Sequence, residues 1–226
     1  LPKEEKKHMP PKGGKQLTKE EIELISKWIK NGSSFTKSVK QYNLDSGLLS
    51  YFFASAKSFF PIKEISSPDI ESIKKIKEKK ILINPINKNS NYLKVSSLNY
   101  SNFNNNDLLL LQEIKKNIVS LDLSNSNVSD SIFLRLSEFT NLTVLKLNNT
   151  KIKGQGIDKL SVLENLKRIN LVNTEFNVAF IETLTKFKSL EKVYLFQESR
   201  NFIAKDILPN DKLDLFDFGE YKLEDL

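Results

Sequence analysis

Two cationic and two aromatic side chains have the chemistry of a binding patch. Lys192, Tyr194 and Phe196 alternate with apolar residues, and Arg168 precedes Lys192 by 24 positions. Such alternation is typical of a β-strand, in which every second side chain points to the same side. Aromatic rings beside cations can stack on a sugar ring or anchor a peptide. We therefore expect these four side chains to lie together on the exposed side of a sheet.

The segment that carries three of these residues is one of four equivalent segments, and their spacing predicts the fold. Apolar residues recur in matching L-x-L positions that end at Leu123, Leu147, Leu171 and Leu195, each 24 residues after the last. A fixed period of about 20 to 29 residues with this pattern is typical of leucine-rich repeats. The sequence therefore predicts an α/β fold: a leucine-rich-repeat solenoid with parallel strands on one face, short helices or turns on the other, and a small helical segment before it.

The residues that alternate with the buried leucines form the predicted partner-binding site, which we call the strand face. Two interpretations of its aromatic end stay open: Tyr194 and Phe196 contact a ligand, or the C-terminal segment from Leu213 to Tyr221 folds back over them. The pattern also places Ser97 and Asn99 on this face, in the first repeat. The candidate partner-binding residues are Asp122, Lys146, Asn148, Arg168, Asn170, Lys192, Tyr194 and Phe196.

Hydroxyl side chains recur shortly after each strand, at Ser126, Thr150 and Thr174. A hydroxyl there can satisfy backbone groups where the chain turns away from the sheet. We therefore predict a ladder of side-chain to backbone hydrogen bonds at this edge.

Both ends of the repeat array need a cap, because a terminal repeat has only one neighbour to bury its core. Ser67 followed by Pro68 predicts the start of a capping helix, with Ser67 as the N-cap. Residues 81–83 are predicted to form the first strand. The alternating apolar and acidic segment from Leu213 to Phe218 is predicted to be the C-terminal cap.

A short helix is predicted near the N-terminus. Thr18 and Glu21 form a capping box, apolar residues follow on one side, and Asn31-Gly32 ends the helix. Together with His8-Met9-Pro10-Pro11 before it, this segment resembles the C-terminal end of the planctomycete-type cytochrome c domain. The resemblance implies that Met9 is the distal haem ligand in an intact parent protein. No Cys-x-x-Cys-His motif occurs, so we expect no cofactor in this chain and haem c only in that parent.

The resemblance continues into the repeats, where residues 80–93 and 193–197 look like segments of bacterial membrane proteins that join such a cytochrome to leucine-rich repeats. It implies a periplasmic or cell-envelope location, with membrane attachment only through the parent protein. We divide the chain into a cytochrome remnant at 1–35, a helical linker at 36–60 and a repeat domain at 61–226 with caps at both ends.

Composition narrows the function further. The net charge is +7, but only three residues are Arg, the side chain best suited to bidentate phosphate contacts, so nucleic acid is not expected as a partner. The chain has no Cys and one His, and Asp122 is the only carboxylate on the predicted strand face, so we expect no metal site and no catalysis. The expected function is recognition of a protein, peptide or polysaccharide by a monomer. The alternative is a structural spacer that positions the cytochrome for electron transfer.

Overall fold

A computed structural model describes residues 16–37, 39–42, 44–53, 58–197 and 210–219. The chain divides into two compact units, Leu1–Ser58 and Phe59–Leu226. Met9 and His8 lie outside the described residues, as do Tyr221 and Glu198. Every helix in the described ranges is too short or too polar to cross a membrane.

The first unit contains helices α1 (Lys19–Lys30) and α2 (Ser46–Phe53), with a 3₁₀ helix at Val39–Tyr42 between them. The predicted capping box of α1 is confirmed. The Thr18 side chain accepts a hydrogen bond from the Glu21 backbone N–H, and the Glu21 carboxylate accepts one from the Thr18 N–H. At the other end, Asn31 is the C-cap and Gly32 adopts a φ of 88°.

The second unit is a mixed α/β structure whose seven strands form a single sheet in the order of the sequence. The strands are β1 (Leu82–Pro85), β2 (Leu93–Ser96), β3 (Ile118–Asp122), β4 (Val144–Lys146), β5 (Arg168–Asn170), β6 (Lys192–Tyr194) and β7 (Phe216–Asp217). β1 pairs antiparallel to β2, and every later neighbour pairs in parallel.

Short helices lie between successive strands from β2 onward, and β1 and β2 are joined by a turn segment without a helix. α3 (Ile70–Glu78) precedes the sheet, and α6 (Asn210–Leu213) precedes β7. Between strands lie 3₁₀ helices at Asp107–Ile114, Asp130–Ile132, Ile157–Val162 and Val178–Phe180, the second and fourth continued by α4 (Phe133–Leu136) and α5 (Ile181–Leu184).

The 24-residue spacing sets the register of the central strands. Leu121 pairs with Leu145, Leu145 with Ile169, and Ile169 with Val193. These side chains are fully buried, as are Leu123, Leu147, Leu171 and Leu195 at the second leucine position. The predicted inward columns are therefore confirmed, and they form one hydrophobic core with the inner residues of the return helices.

The predicted hydroxyl ladder is confirmed as well. Each hydroxyl donates to the carbonyl of the leucine three residues before it, Ser126 to Leu123, Thr150 to Leu147 and Thr174 to Leu171. All three side chains are buried, so an unpaired hydroxyl there would carry a desolvation cost. Their bonds satisfy carbonyls at the point where the chain leaves the sheet.

Details at the ends of the array differ from the prediction. Asp69, rather than Ser67, caps α3, because its carboxylate accepts a hydrogen bond from the Ser72 N–H. Ser97, predicted to face outward, is 2% exposed, since the extra residues in the first repeat place it at the second leucine position, beside Leu123. In the described part of the C-terminal segment, β7 extends the sheet and Phe216 is buried.

Candidate functional site

The outward side chains of the strands form three columns on the strand face. The amino-edge column contains Lys94, Ser120, Val144, Arg168 and Lys192. The middle column contains Ser96, Asp122, Lys146, Asn170, Tyr194 and Asp217. Beyond the strand ends, backbone hydrogen bonds between neighbouring repeats align Ser124, Asn148, Val172 and Phe196 in a carboxyl-edge column, of which Ser124 is buried. All eight predicted site residues therefore lie in these columns.

The polar end of the strand face forms an internal network. Lys146 Nζ lies 3.2 Å from Asp122 Oδ2, and Asp122 Oδ1 accepts hydrogen bonds from the N–H and hydroxyl of Ser124. The Ser124 hydroxyl also lies 2.6 Å from Asn148 Oδ1. The Asp122 carboxylate thus stabilises the turn that follows β3. Of the predicted site residues, Lys146 contacts Asp122 directly, and Asn148 is joined to Asp122 through Ser124.

Asn170 has a similar local role, because its Oδ1 accepts a 2.9 Å hydrogen bond from the Val172 N–H. Asp217 repeats this contact with the N–H of Gly219 at 2.9 Å. A carboxylate or amide oxygen that binds the N–H two residues later stabilises the turn after the strand. The Asn170 amide nitrogen remains the group that could serve a ligand.

Arg168 is covered by an aromatic ring of the same chain. Its guanidinium carbon lies 4.6 Å from the centroid of the Phe59 ring, and Lys167 Nζ lies 5.2 Å from the same centroid. At these distances a cation is attracted by the ring face. Phe59 falls in the predicted linker at 36–60, and no sequence pattern predicts this contact.

The C-terminal cap reaches the aromatic end of the strand face. Lys192 Nζ donates to the Asp214 carbonyl at 3.0 Å, and Asp217 pairs with Tyr194 across β6 and β7. A Cβ atom at Gly219 would lie 2.7 Å from the Phe196 ring, so the cap backbone packs closely on that ring. Phe196 nevertheless stays 43% exposed, and Tyr194 is partly buried. Cap packing and surface exposure therefore coexist at this end.

A polar groove runs beside the hydroxyl ladder and was not predicted. Asn125, Asn149 and Asn173 line it, each with a positive φ of 51–59°, and its volume is about 740 Å³. Asn tolerates this left-handed conformation better than most residues. The sequence signal was present, since an Asn precedes the hydroxyl residue in each of these three repeats.

The first unit carries a smaller apolar cavity of about 370 Å³. Trp28 Nε1 and the Tyr42 hydroxyl both donate to the Ser34 carbonyl, each at 2.9 Å, and the Phe35 ring meets Trp28 edge to face. Phe35 is 92% exposed. No residue of α1 is buried, so its apolar side contributes to an open surface in the described part of this unit.

Within the described ranges, no three His, Cys, Asp or Glu side chains gather closely enough to hold a metal ion. The chain has no cysteine for the thioether bonds of haem c, so the residues present do not fit a covalently attached haem. Met9 is not among the described residues, and its role as a distal ligand stays a prediction.

The chain matches no protein-family model, and no curated protein is significantly similar to it.

Proposed function

We propose that the chain is a non-enzymatic recognition module, a leucine-rich-repeat solenoid that binds a protein, peptide or polysaccharide through its strand face. The observation that supports this most is the pair of partly exposed rings, Tyr194 and Phe196, at the end of aligned outward columns. Aromatic side chains of this kind often dominate the free energy of binding at an interface.

The middle column adds hydrogen-bonding groups to these rings. From Asp122 on β3 to Tyr194 on β6 the column crosses three strand spacings, or about 14 Å. Such a span suits a short extended peptide or a few sugar units. Asn170 lies between Lys146 and Tyr194 in strand order, so its amide nitrogen is placed to orient a ligand that stacks on the ring.

The proposed setting is the periplasm or cell envelope, as part of a c-type cytochrome protein. This part of the proposal depends on the sequence resemblance of residues 8–32 and of the repeats. Haem would be held by another part of that parent protein, with Met9 as its distal ligand. The repeats would then bring the cytochrome to its partner.

A structural spacer is the second candidate function. Its support is that two strand-face cations already have partners within the chain: Lys146 with Asp122, and Lys192 with the Asp214 carbonyl. Side chains paired in this way rigidify a sheet and need no external ligand.

A binding screen separates the two functions. The full chain would be tested against cell-wall polysaccharide fragments, peptide libraries and envelope proteins, with Tyr194→Ala and Lys159→Ala as matched variants. Lys159 is exposed on the return side, in the 3₁₀ helix opposite the sheet. A recognition module predicts a partner whose binding weakens with Tyr194→Ala and not with Lys159→Ala. Absence of any saturable binding would favour the spacer.

A further inference from the structure

Two adjacent phenylalanines of the chain lie on the amino-edge column of the strand face. Phe59 contacts Arg168 and Lys167, and Lys94 Nζ lies 5.5 Å from the centroid of the Phe60 ring. The two rings meet edge to face, with centroids 5.1 Å apart. Three cations therefore surround one aromatic pair, a more specific arrangement than apolar packing alone would require.

The sheet leaves room for this pair between its cations. In strand order, Ser120 and Val144 separate Lys94 from Arg168, so two short side chains lie between two long ones. Because neighbouring strands lie about 4.8 Å apart, the two cationic residues are about 14 Å apart along the column. This distance accommodates two rings with a cation on either side.

The segment that carries the rings is anchored independently of them. Residues 59–69 contain no helix or strand, and both rings are only partly buried. Side chains of the sheet unit bind its backbone farther along, through the Lys63 carbonyl (Tyr92 hydroxyl, 2.8 Å), the Ile65 carbonyl (Asn91 Nδ2, 2.8 Å) and the Ser66 carbonyl (Asn117 Nδ2, 2.9 Å). Release of the rings would leave these three hydrogen bonds in place.

We propose that this part of the strand face is a binding site for a peptide with two adjacent aromatic side chains, and that Phe59 and Phe60 occupy it in the free chain. The inference rests on the proposed recognition function and commits it to a peptide ligand at this position. The anchored backbone at Lys63 keeps the rings close to the site, at an effective concentration on the order of millimolar. A partner peptide must displace them.

The positive charge around the site indicates which charge a partner peptide should carry beside its aromatic pair. Lys94 and Arg168 attract ring faces, and Lys167 Nζ already lies 3.3 Å from a carboxylate oxygen of Glu191. An acidic or neutral residue beside the aromatic pair would be favoured, and a basic one would be repelled.

The test uses a labelled pentapeptide with the sequence of residues 58–62, Ser-Phe-Phe-Pro-Ile, and fluorescence anisotropy with the full chain. We expect the peptide to bind saturably to the double variant Phe59→Ala/Phe60→Ala. Its affinity for the wild type should be lower by about tenfold or more, because the tethered rings compete for the site. Ile62→Ala is the matched control, because the Ile62 side chain is 84% exposed. This variant should bind the peptide with the same affinity as the wild type. Adding Arg168→Gln to the double variant should weaken peptide binding about tenfold, because the cation that contacts the ring face is lost.

Thermal melting checks that each variant is folded. A second double variant, Phe59→Leu/Phe60→Leu, keeps apolar side chains at both positions but removes the ring faces. Failure of the peptide to bind either folded double variant would overturn the inference. So would equal binding to the wild type and the double variants, which would place the peptide elsewhere. Dimerisation of the wild type that Phe59→Ala abolishes would show the rings seated on another copy, against occupancy within one chain.

The two proposals fail separately. If the peptide does not bind but the screen finds a partner sensitive to Tyr194→Ala, the aromatic-peptide site is wrong and the recognition function stands. If neither the peptide nor any screened molecule binds, both proposals fall.

Discussion

The side-chain amide of Asn165 donates a 2.9 Å hydrogen bond to the backbone carbonyl of Thr140, in the repeat before it. Asn141 makes the equivalent bond to the Lys116 carbonyl at 2.7 Å, and Asn117 donates to the Asn91 carbonyl at 3.1 Å. These asparagines lie 24 residues apart, just before the strands. Each repeat is thus tied to its predecessor at the amino ends of the strands, as the hydroxyl ladder stabilises the turns at the other edge.

The first prediction tests this asparagine ladder. Asn165→Asp keeps the size of the side chain but replaces its donor with an acceptor that faces the Thr140 carbonyl. We expect a loss of about 0.5 to 1.5 kcal/mol in the free energy of unfolding, because an exposed intramolecular hydrogen bond is lost. Urea denaturation would measure it. Asn99→Asp, on an exposed turn residue, is the control, and an equal effect in both variants would contradict the role of the ladder.

The second prediction concerns the core. Leu147→Ala and Leu171→Ala should each lower the free energy of unfolding by about 2 to 5 kcal/mol, since both side chains are fully buried. Val162→Ala, at a side chain that is 64% exposed, should change it by less than about 0.5 kcal/mol. Hydrogen exchange should show weaker protection in the adjacent repeats as well. Damage confined to one strand would argue against coupling between them.

The third prediction compares two glycines of one turn. Gly154 and Gly156 have φ angles of 98° and 81°, so an alanine is strained at either position. A Cβ at Gly154 would also lie 2.6 Å from the Phe176 ring, whereas at Gly156 the nearest atom would be Lys159 Nζ at 3.6 Å. Gly154→Ala should therefore destabilise the protein by at least about 1 kcal/mol more than Gly156→Ala. Equal melting temperatures for the two variants would refute this packing argument.

The fourth prediction is a pH dependence at the start of α3. Hydrogen bonds from Ser72, first from its side chain and then from its backbone N–H, lower the pKa of Asp69 below the ordinary value of 3.8. The charged carboxylate therefore stabilises the folded state above about pH 4, and this contribution is lost as the pH falls through the lowered pKa. The stability difference between wild type and Asp69→Asn should be largest near pH 7 and should shrink below pH 4. A difference that stays constant from pH 7 to pH 2 would exclude this role.

The fifth prediction concerns whichever partner the screen identifies. Truncation of a dominant aromatic contact typically costs about 2 kcal/mol or more, so Tyr194→Ala should weaken binding about 30-fold. Ser120→Ala, at the polar end of the strand face, should have a smaller effect. Isothermal titration would measure both, and the reverse order of effects would move the binding site towards the polar end.

The sequence was sufficient to predict the periodic part of the fold. Ser126, Thr150 and Thr174 occupy equivalent positions in their repeats and have the same role. A correct prediction for one of them therefore holds for the other two. The inward leucines follow the same logic, and the α1 capping box depends only on neighbouring residues. The composition of the strand face was predictable for this reason.

Non-periodic features could not be predicted in this way. The register around Ser97 was wrong because the first repeat contains extra residues, and the start of α3 was misplaced because Ser67 and Asp69 are both good N-cap types. The contact of Phe59 with Arg168 joins residues far apart in sequence, and no repeat pattern points to it. The hydrogen bonds that Asp122 and Asn170 make within turns could not be predicted either. The alternating pattern requires only that a residue at an outward position be polar, and it does not show what that residue contacts.

The constant register from β3 to β6 makes the length of this surface a modular property. Excision of residues 144–167 would join Thr143 directly to Arg168, and every inward side chain would still point inward. Excision of one residue fewer would reverse the alternation unless a bulge absorbed the extra residue, as the irregularity between Leu93 and Lys94 does. Duplication or loss of a gene segment that encodes 24 residues would therefore lengthen or shorten the strand face by about 4.8 Å. The packing of the interior would stay the same.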